Sequence, residues 1–451
     1  MKILIIGAGK VGLAIARQLT NEGHDIAVVD SSAEKIAQVS DMYDVITLEG
    51  SGTNFSVLRE AGVQDSDLVI AATGSDDINM VASVAASHMG ATYVAARMKD
   101  PEYNSERAFL REAYGMSAVF NPDLGAASEI SRILQFPTAA RVETFARGRA
   151  ELVEYRIPSG SSMDGLALKD LAKTFKARVL VCAVERGGAV SIPKGDFVLR
   201  CGDRLNISGA RPELRRFFVA VGAYKKPVRS AMLLGGSRIA GYLARNLIDA
   251  GIHVTIIERR RERCEMLFDL LPEASIVCGD GCKQEVLLEE GIRDADAFVA
   301  LTGFDEDNII VSLYAQDCGV GKVVTKVSDD HFVPMLQRSG LDCFICPKVL
   351  AASEIVRYAR AIQNAEGSSV ETLYRLNDDK VEALEFVVSA GSKCVEKPLK
   401  DLRLREHVLI AAVIHGNECI IPNGNTVIHP GDRAVVVTTG AGLRDLDAIL
   451  E

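Results

Sequence analysis

Lys2-Ile3-Leu4-Ile5-Ile6-Gly7-Ala8-Gly9-Lys10-Val11-Gly12 is an apolar run broken by glycines at the spacing G-x-G-x-x-G. The run reads as a strand, the glycines as a tight turn, and Val11 to Asn21 as the amphipathic helix that the turn opens. Each glycine has its own task. Gly7 permits the turn, Gly9 lets backbone approach a pyrophosphate, and Gly12 lets the helix pack on the strand. The positive end of the helix then favours phosphate charge over Lys10 and Val11. Asp30 ends the next apolar run, where an acid accepts from ribose hydroxyls and repels a 2′-phosphate. NAD(H), ADP or ATP are therefore expected ahead of NADP(H).

Outward from this turn, Lys2 to Ile6, Asp25 to Val29, Val45 to Leu48, Asp67 to Ala72, Tyr93 to Arg97 and Ala118 to Phe120 read as strands. Their near-continuous apolar character fits a parallel sheet covered on both faces. Helical spacing runs between them, so residues 1–125 are expected to be a Rossmann-like, doubly wound α/β domain. A helix over Ala126 to Ile133 follows, ended at Phe136-Pro137, as a crossover through residue 139. From 140 to 225 the texture is α+β. Val153 to Ile157 and Val198 to Ser208 read as strands and Ala167 to Phe175 as a short helix. Val179 to Glu185 before Gly187-Gly188 reads as half a hairpin. Lys225-Lys226-Pro227 reads as a hinge.

The second half repeats the first about 229 residues later. Asp67-Leu68-Val69-Ile70-Ala71-Ala72-Thr73-Gly74 is answered by Asp296-Ala297-Phe298-Val299-Ala300-Leu301-Thr302-Gly303, Asn79 by Asn308, and Gly202-Asp203 by Gly431-Asp432. A period this long implies two complete domain sets: a second α/β lobe over 229–347, a crossover over 348–367 and a second small lobe over 368–451. The second glycine turn, Gly235-Gly236-Ser237-Arg238-Ile239-Ala240, carries Ser237 and Ala240 at the second and third glycine positions, and Glu258 takes the place of Asp30. It reads either as a second nucleotide site, narrowed by the Ser237 Cβ, or as a structural copy.

Further candidates lie where the strands end. Ser51, in Gly50-Ser51-Gly52-Thr53, and Asp280, in Gly279-Asp280-Gly281-Cys282, are placed to accept from an adenine or ribose edge. Thr73, Gly74 and Thr302 end the fourth strands. Arg97 and Lys326 end the fifth, where a cation can neutralise phosphate; Arg97 paired with Asp76 or Asp77 is the alternative. The acids at Asp76, Asp77, Asp305, Glu306 and Asp307 read as helix N-termini, which favour negative charge, with regulatory cation binding as the alternative.

Composition narrows the function. The chain has 451 residues, 48% hydrophobic, with a net charge of -10, which argues against a nucleic-acid surface. No run of 18 or more uncharged apolar residues exists, so direct membrane insertion is not expected, and the first strand does not read as a signal peptide. The ten cysteines, Cys343-x-x-Cys346 included, read as buried thiols in a reducing cytoplasm and not as metal ligands. No catalytic constellation is evident beside the glycine loops, although an NAD-dependent oxidoreductase is the main alternative class.

These motifs, with Val57-Leu58-Arg59-Glu60-Ala61-Gly62 after Gly50-Ser51-Gly52 and Ser75-Asp76-Asp77 before Asn79-Met80-Val81-Ala82, resemble the regulators of potassium conductance, the RCK family. The resemblance spans the whole chain as a tandem repeat. It implies a non-enzymatic, cytoplasmic subunit, peripheral on the inner membrane, that assembles as a homo-oligomeric ring, a dimer or tetramer, under a transmembrane potassium-translocating Trk subunit. It also implies that nucleotide changes the ring's shape. By motif match, it places one site at Gly7, Ala8, Gly9, Lys10, Val11, Asp30, Thr73, Gly74 and Arg97. A second falls at Gly235, Gly236, Ser237, Arg238, Ile239, Glu258 and Thr302. Regulation of another potassium channel or antiporter is a further alternative.

Overall fold

The computed structural model describes residues 1–136, 138, 141–223, 227–341, 343–365, 370–376, 380–440, 443 and 445–451. These form two compact units, Met1–Ser131 with Arg229–Ala359, and Arg132–Val228 with Arg360–Glu451. The first unit holds both α/β lobes and the second holds both small lobes.

In the first α/β lobe, six strands form one parallel sheet: β1 (Lys2–Ile6), β2 (Asp25–Asp30), β3 (Ile46–Glu49), β4 (Leu68–Ala71), β5 (Tyr93–Arg97) and β6 (Ala118–Phe120). Their spatial order is β3-β2-β1-β4-β5-β6. The winding direction reverses between β1 and β4, and the crevice at their carboxyl ends is where doubly wound sheets bind ligands. Every residue of β4 is buried, as the unbroken apolar run requires of a strand covered on both faces. The second α/β lobe repeats the order with Ser275–Cys278, His253–Glu258, Ser230–Leu234, Ala297–Ala300, Lys322–Lys326 and Phe344–Ile345. The doubly wound reading therefore holds in both copies.

The repeat is less regular than a constant 229. The offset is 228 at the first strand (Lys2 against Ser230), 229 at the fourth (Leu68 against Ala297) and 225 at the crossover helix (Pro122 against Pro347). That helix also starts earlier than expected, spanning Pro122–Gln135. The Asn121 carboxamide accepts from the N–H groups of Asp123 and Leu124 at 3.0 and 3.1 Å, and this cap starts the helix at Pro122, four residues before Ala126. Pro137 and the hinge residues Lys225 and Lys226 lie outside the described residues.

Each small lobe is a five-stranded antiparallel sheet. The first runs Ala189–Ser191, Leu180–Arg186, Arg204–Gly209, Ala150–Arg156 and Arg141–Phe145 in space. The second repeats it with Glu418–Ile420, Val408–His415, Arg433–Thr438, Val381–Val387 and Val370–Leu376. The expected hairpin is present across Gly187-Gly188. The expected strand over Val198 to Ser208 is not continuous, since only Arg204–Gly209 pairs as a strand. Asp203 breaks it, because its carboxylate accepts from the Arg200 N–H at 2.8 Å and closes a turn. The two small lobes share an apolar core that includes Phe145, Leu152, Val381 and Val435.

Divergence of the two copies is clearest at this turn. Arg186 grips Asp203 with two bonds of 2.7 Å, a permanently charged fork. In the second lobe the pair is His415 on Asp432, Nδ1 to Oδ1 at 2.6 Å, and His429 Nδ1 meets Glu396 at 2.9 Å beside it. The Glu396 hydrogen bond raises the pKa of His429 above its ordinary value. A raised folded-state value contributes stability below the unfolded value of about 6.5, and that contribution is lost as pH rises through the folded value. The His429 titration, followed by NMR, is therefore expected to fall to a lower midpoint in Glu396→Gln; an unchanged midpoint would contradict the pairing.

Candidate functional site

The first glycine loop is built by the end of β1 and the helix Lys10–Asn21. Gly7 sits at φ +107, and a Cβ there would lie 2.9 Å from the Thr73 nitrogen. A Cβ on Gly12 would lie 1.8 Å from the Gly7 carbonyl oxygen, so the helix approaches the turn as only glycine allows. Gly9 differs. It is the N-cap of the helix, makes no side-chain cap bond, and faces open space, with nothing within 4 Å of a built Cβ. The first turn of this helix thus presents backbone N–H groups toward an unfilled position, the arrangement that binds phosphate.

Asp30 holds the loop in place. Its carboxylate accepts from the Ala8 N–H at 2.7 Å and the Ser32 N–H at 2.9 Å, with the Lys35 ammonium 3.7 Å away. The expected ribose acid is therefore also a brace for the turn. Each carboxylate oxygen retains acceptor capacity for a hydroxyl.

The other side of the crevice depends on a residue that motif reading did not place in the site. Asn79 is fully buried. Its carboxamide oxygen accepts from the Thr73 N–H at 2.9 Å and hydroxyl at 2.7 Å, and its nitrogen donates to the Arg97 carbonyl at 2.9 Å. It locks the ends of β4 and β5 together. Asn308 repeats the three bonds to Thr302 and Lys326 at 2.9, 2.8 and 3.0 Å. The signal was available in the exact recurrence of an asparagine six residues after each strand-ending threonine.

Arg97 is not the surface cation paired with Asp76 that one reading allowed. Asp76 accepts instead from the N–H groups of Lys99 and Asp100, both at 2.9 Å, and Asp305 does the same for Ser328 and Asp329. Burial lowers the pKa of Arg97, against the opposing pull of Asp123 and Asp76, and its Nε is buried with no hydrogen-bond partner among the described residues. Lys326 is likewise lowered by burial. A half-buried guanidinium with an orphaned Nε donor fits an anion.

Both glycine loops open onto one cavity of about 850 Å3 within the first unit. It brings Gly9, Lys10, Val11, Gly74 and Arg97 together with Gly236, Ser237, Arg238 and Ile239, while Ser51 and Asp280 are not among its walls. Its lining has eight lysines and arginines against Asp123 and Glu262 alone, so a polyanion is the ligand class it suits. Arg238 pairs with Asp123 at 3.0 Å. At the corner related by the repeat, Lys10 and Lys348 both line the cavity, which places two cations where the first corner has an ion pair.

The second loop departs from the first as its sequence suggests. Ser237 caps its own helix, accepting from the Ala240 N–H at 3.4 Å, and so occupies the position that Gly9 leaves open. Gly235 keeps the positive φ, and Ala240 is accommodated in the core. Glu258 accepts from the Gly236 N–H at 2.7 Å and the Arg260 N–H at 2.8 Å, with the Arg260 guanidinium at 3.3 Å. Burial would raise its pKa, but these bonds outweigh it and leave the acid below the usual range. A separate mouth of about 430 Å3 joins Gly235, Glu258, Asp280 and Thr302. Among the described residues no group of three or more His, Cys, Asp or Glu is arranged to hold a metal; Cys343 and Cys346 are buried, but Cys201, Cys278 and Cys282 are exposed, against the expectation that all ten thiols are buried.

The comparisons agree with this architecture. The TrkA-N domain matches residues 3–122 and 231–347, and the TrkA-C domain matches 152–222 and 383–451. The chain belongs to the TrkA family. It is 34% identical to a Trk system potassium uptake protein TrkA homolog of Archaeoglobus fulgidus, over 97% of both chains. It is 32% identical to TrkA of Vibrio alginolyticus, over 97% of this chain and 95% of that one. The crystal structure of the GsuK RCK domain shares the fold at a TM-score of 0.62 and 18% identity, covering 97% of this chain and 92% of that one. The GsuK channel bound to NAD matches at 0.61 and 18%, covering 97% and 77%.

The two loop glycines are expected to separate in their effects. Gly12→Ala, driven into the Gly7 carbonyl, should cost about 1–3 kcal/mol or more in denaturant unfolding. Gly9→Ala should leave stability nearly unchanged. Equal losses would refute the reading of Gly9 as an open position.

Proposed function

We propose that the chain is the nucleotide-binding regulatory subunit of a Trk-type potassium uptake system. On this reading it works at the cytoplasmic face of the membrane as a homo-oligomeric ring and controls transport by a transmembrane potassium-translocating partner. The relatives named as potassium uptake proteins match nearly end to end, which supports reading this chain's role as theirs. Among the described residues no helix is long and apolar enough to cross a membrane, so conduction is assigned to the partner. The lobes are taken as 1–125, 140–225, 229–347 and 368–451, with crossovers between.

The uncapped helix at Gly9, facing a cavity rich in cations, is the observation that carries nucleotide binding. The first site would hold the diphosphate of NAD(H), or of ADP or ATP, on the N–H groups after Gly9, with the ribose at Asp30 and a phosphate at Arg97. Gly7, Ala8, Lys10, Val11, Thr73 and Gly74 would complete it, and Ser51 would sit at its rim. The second would use Gly235, Gly236, Arg238, Ile239, Glu258, Asp280 and Thr302, with Ser237 competing for the phosphate position. Ligand then regulates the pore only to the extent that it binds one ring shape better than another, a coupling of about 1–3 kcal/mol in typical cases.

Isothermal titration of the purified chain with NADH and ADP tests the site. Binding is expected, and Gly9→Asp, which places a carboxylate at the phosphate position, should weaken the first site at least about tenfold, or 1.4 kcal/mol. Absence of binding by either ligand to the unmodified chain would refute the proposal.

A further inference from the structure

The two α/β lobes differ most where the second strand ends. In the first lobe Asp30 is followed by Ser31 and Ser32, and the half-exposed Lys35 ammonium lies 3.7 Å from its carboxylate. In the second lobe Glu258 is followed by Arg259, Arg260 and Arg261. Arg259 and Arg260 line the mouth of the second crevice together with Glu258. Arg261 is turned away onto Glu265 at 3.1 Å. Arg263, one helical turn on, donates to the Gly236 carbonyl at 2.6 Å.

Glu258 offsets part of this charge at the mouth, because its carboxylate also accepts from the Arg260 guanidinium at 3.3 Å. It is only 7% exposed, and its oxygens are directed at the Gly236 and Arg260 N–H groups. The Arg260 side chain is nevertheless 71% exposed, so it and Arg259 can meet a ligand at their edge of the mouth. A ribose carrying two free hydroxyls needs acceptors, which Asp30 supplies. A ribose carrying a phosphate needs fork-shaped donors, which guanidinium groups supply.

We propose that the second lobe takes a nucleotide with a phosphate on the 2′-position of its adenosine ribose, seated on Arg259 and Arg260, whereas the first takes the unsubstituted ribose. This rests on reading both mouths as nucleotide sites. Asp280 and Asp307 line the same mouth. Their charge disfavours a phosphate beside them and leaves Arg259 and Arg260 as its seat. One chain would then sense two nucleotide pools that differ only by one phosphate group.

The test uses the full chain carrying Gly9→Asp, to weaken the first site, and titrates it with adenosine 2′,5′-bisphosphate, its 3′,5′ isomer and AMP. The 2′,5′ compound is expected to bind at least about tenfold tighter than the other two. Arg259→Ala with Arg260→Ala should abolish that preference while AMP binding and the melting temperature persist. Equal binding of the two isomers would assign the effect to charge alone and overturn the proposal, as would a preference that survives loss of both arginines. Failure of AMP as well as the bisphosphates to bind would instead refute the nucleotide reading of the second mouth itself.

Discussion

One hydrogen bond sets the geometry of each α/β lobe: the N–H at the turn donates to the acid that ends the second strand, Ala8 to Asp30 and Gly236 to Glu258, both at 2.7 Å. It ties the glycine loop to a neighbouring strand and so fixes where the following helix begins. The helix start then fixes where its unsatisfied N–H groups point. The brace works beside a second bond, from the Gly7 N–H to the Val29 carbonyl at 2.7 Å, and the two together hold the near-contact between Gly7 and Gly12. The acid therefore braces the turn and the start of the next helix with its two oxygens.

Duplication freed one copy to change. The first loop leaves its helix end open at Gly9, while the second closes it with its own hydroxyl at Ser237. A serine N-cap stabilises a helix by about 1 kcal/mol, and a phosphate arriving there must displace it. The small lobes diverge in the same manner, since a bidentate Arg186–Asp203 fork corresponds to a His415–Asp432 pair. Fold is retained in both cases because the replaced groups sit at strand ends and caps, outside the apolar cores. What changes is the chemistry that each copy offers to solvent or ligand.

Much of this was legible in the sequence, and the physical reason is locality. Continuous apolar runs such as Leu68–Ala71, and glycines at fixed spacing, report on contacts a few residues apart. The family resemblance was equally readable, because its motifs are short and recur. The break at Asp203 was harder, since Val198 to Ser208 has the residue types of a strand and only the side chain's return to the Arg200 N–H reveals a turn. Asn79 was visible as a repeated residue, yet its role as a clamp between strand ends needed the fold. The shared cavity was not legible at all. Lys10, Arg97, Arg238 and Lys326 lie far apart in sequence, and their common sign matters only once the lobes face each other. The 225-residue offset at the crossover helix also hid the pairing of Lys348 with the position of Asp123.

The central claim is that the helix end at Gly9 is an open phosphate seat and the one at Ser237 is already capped. Hydrogen–deuterium exchange of the intact chain, with and without ADP, tests it most directly. The account predicts that ADP slows exchange in the peptide covering Gly9 to Leu13 far more than in the peptide covering Ser237 to Gly241. Protection confined to the second peptide, or ADP binding that leaves the first unchanged, would contradict it.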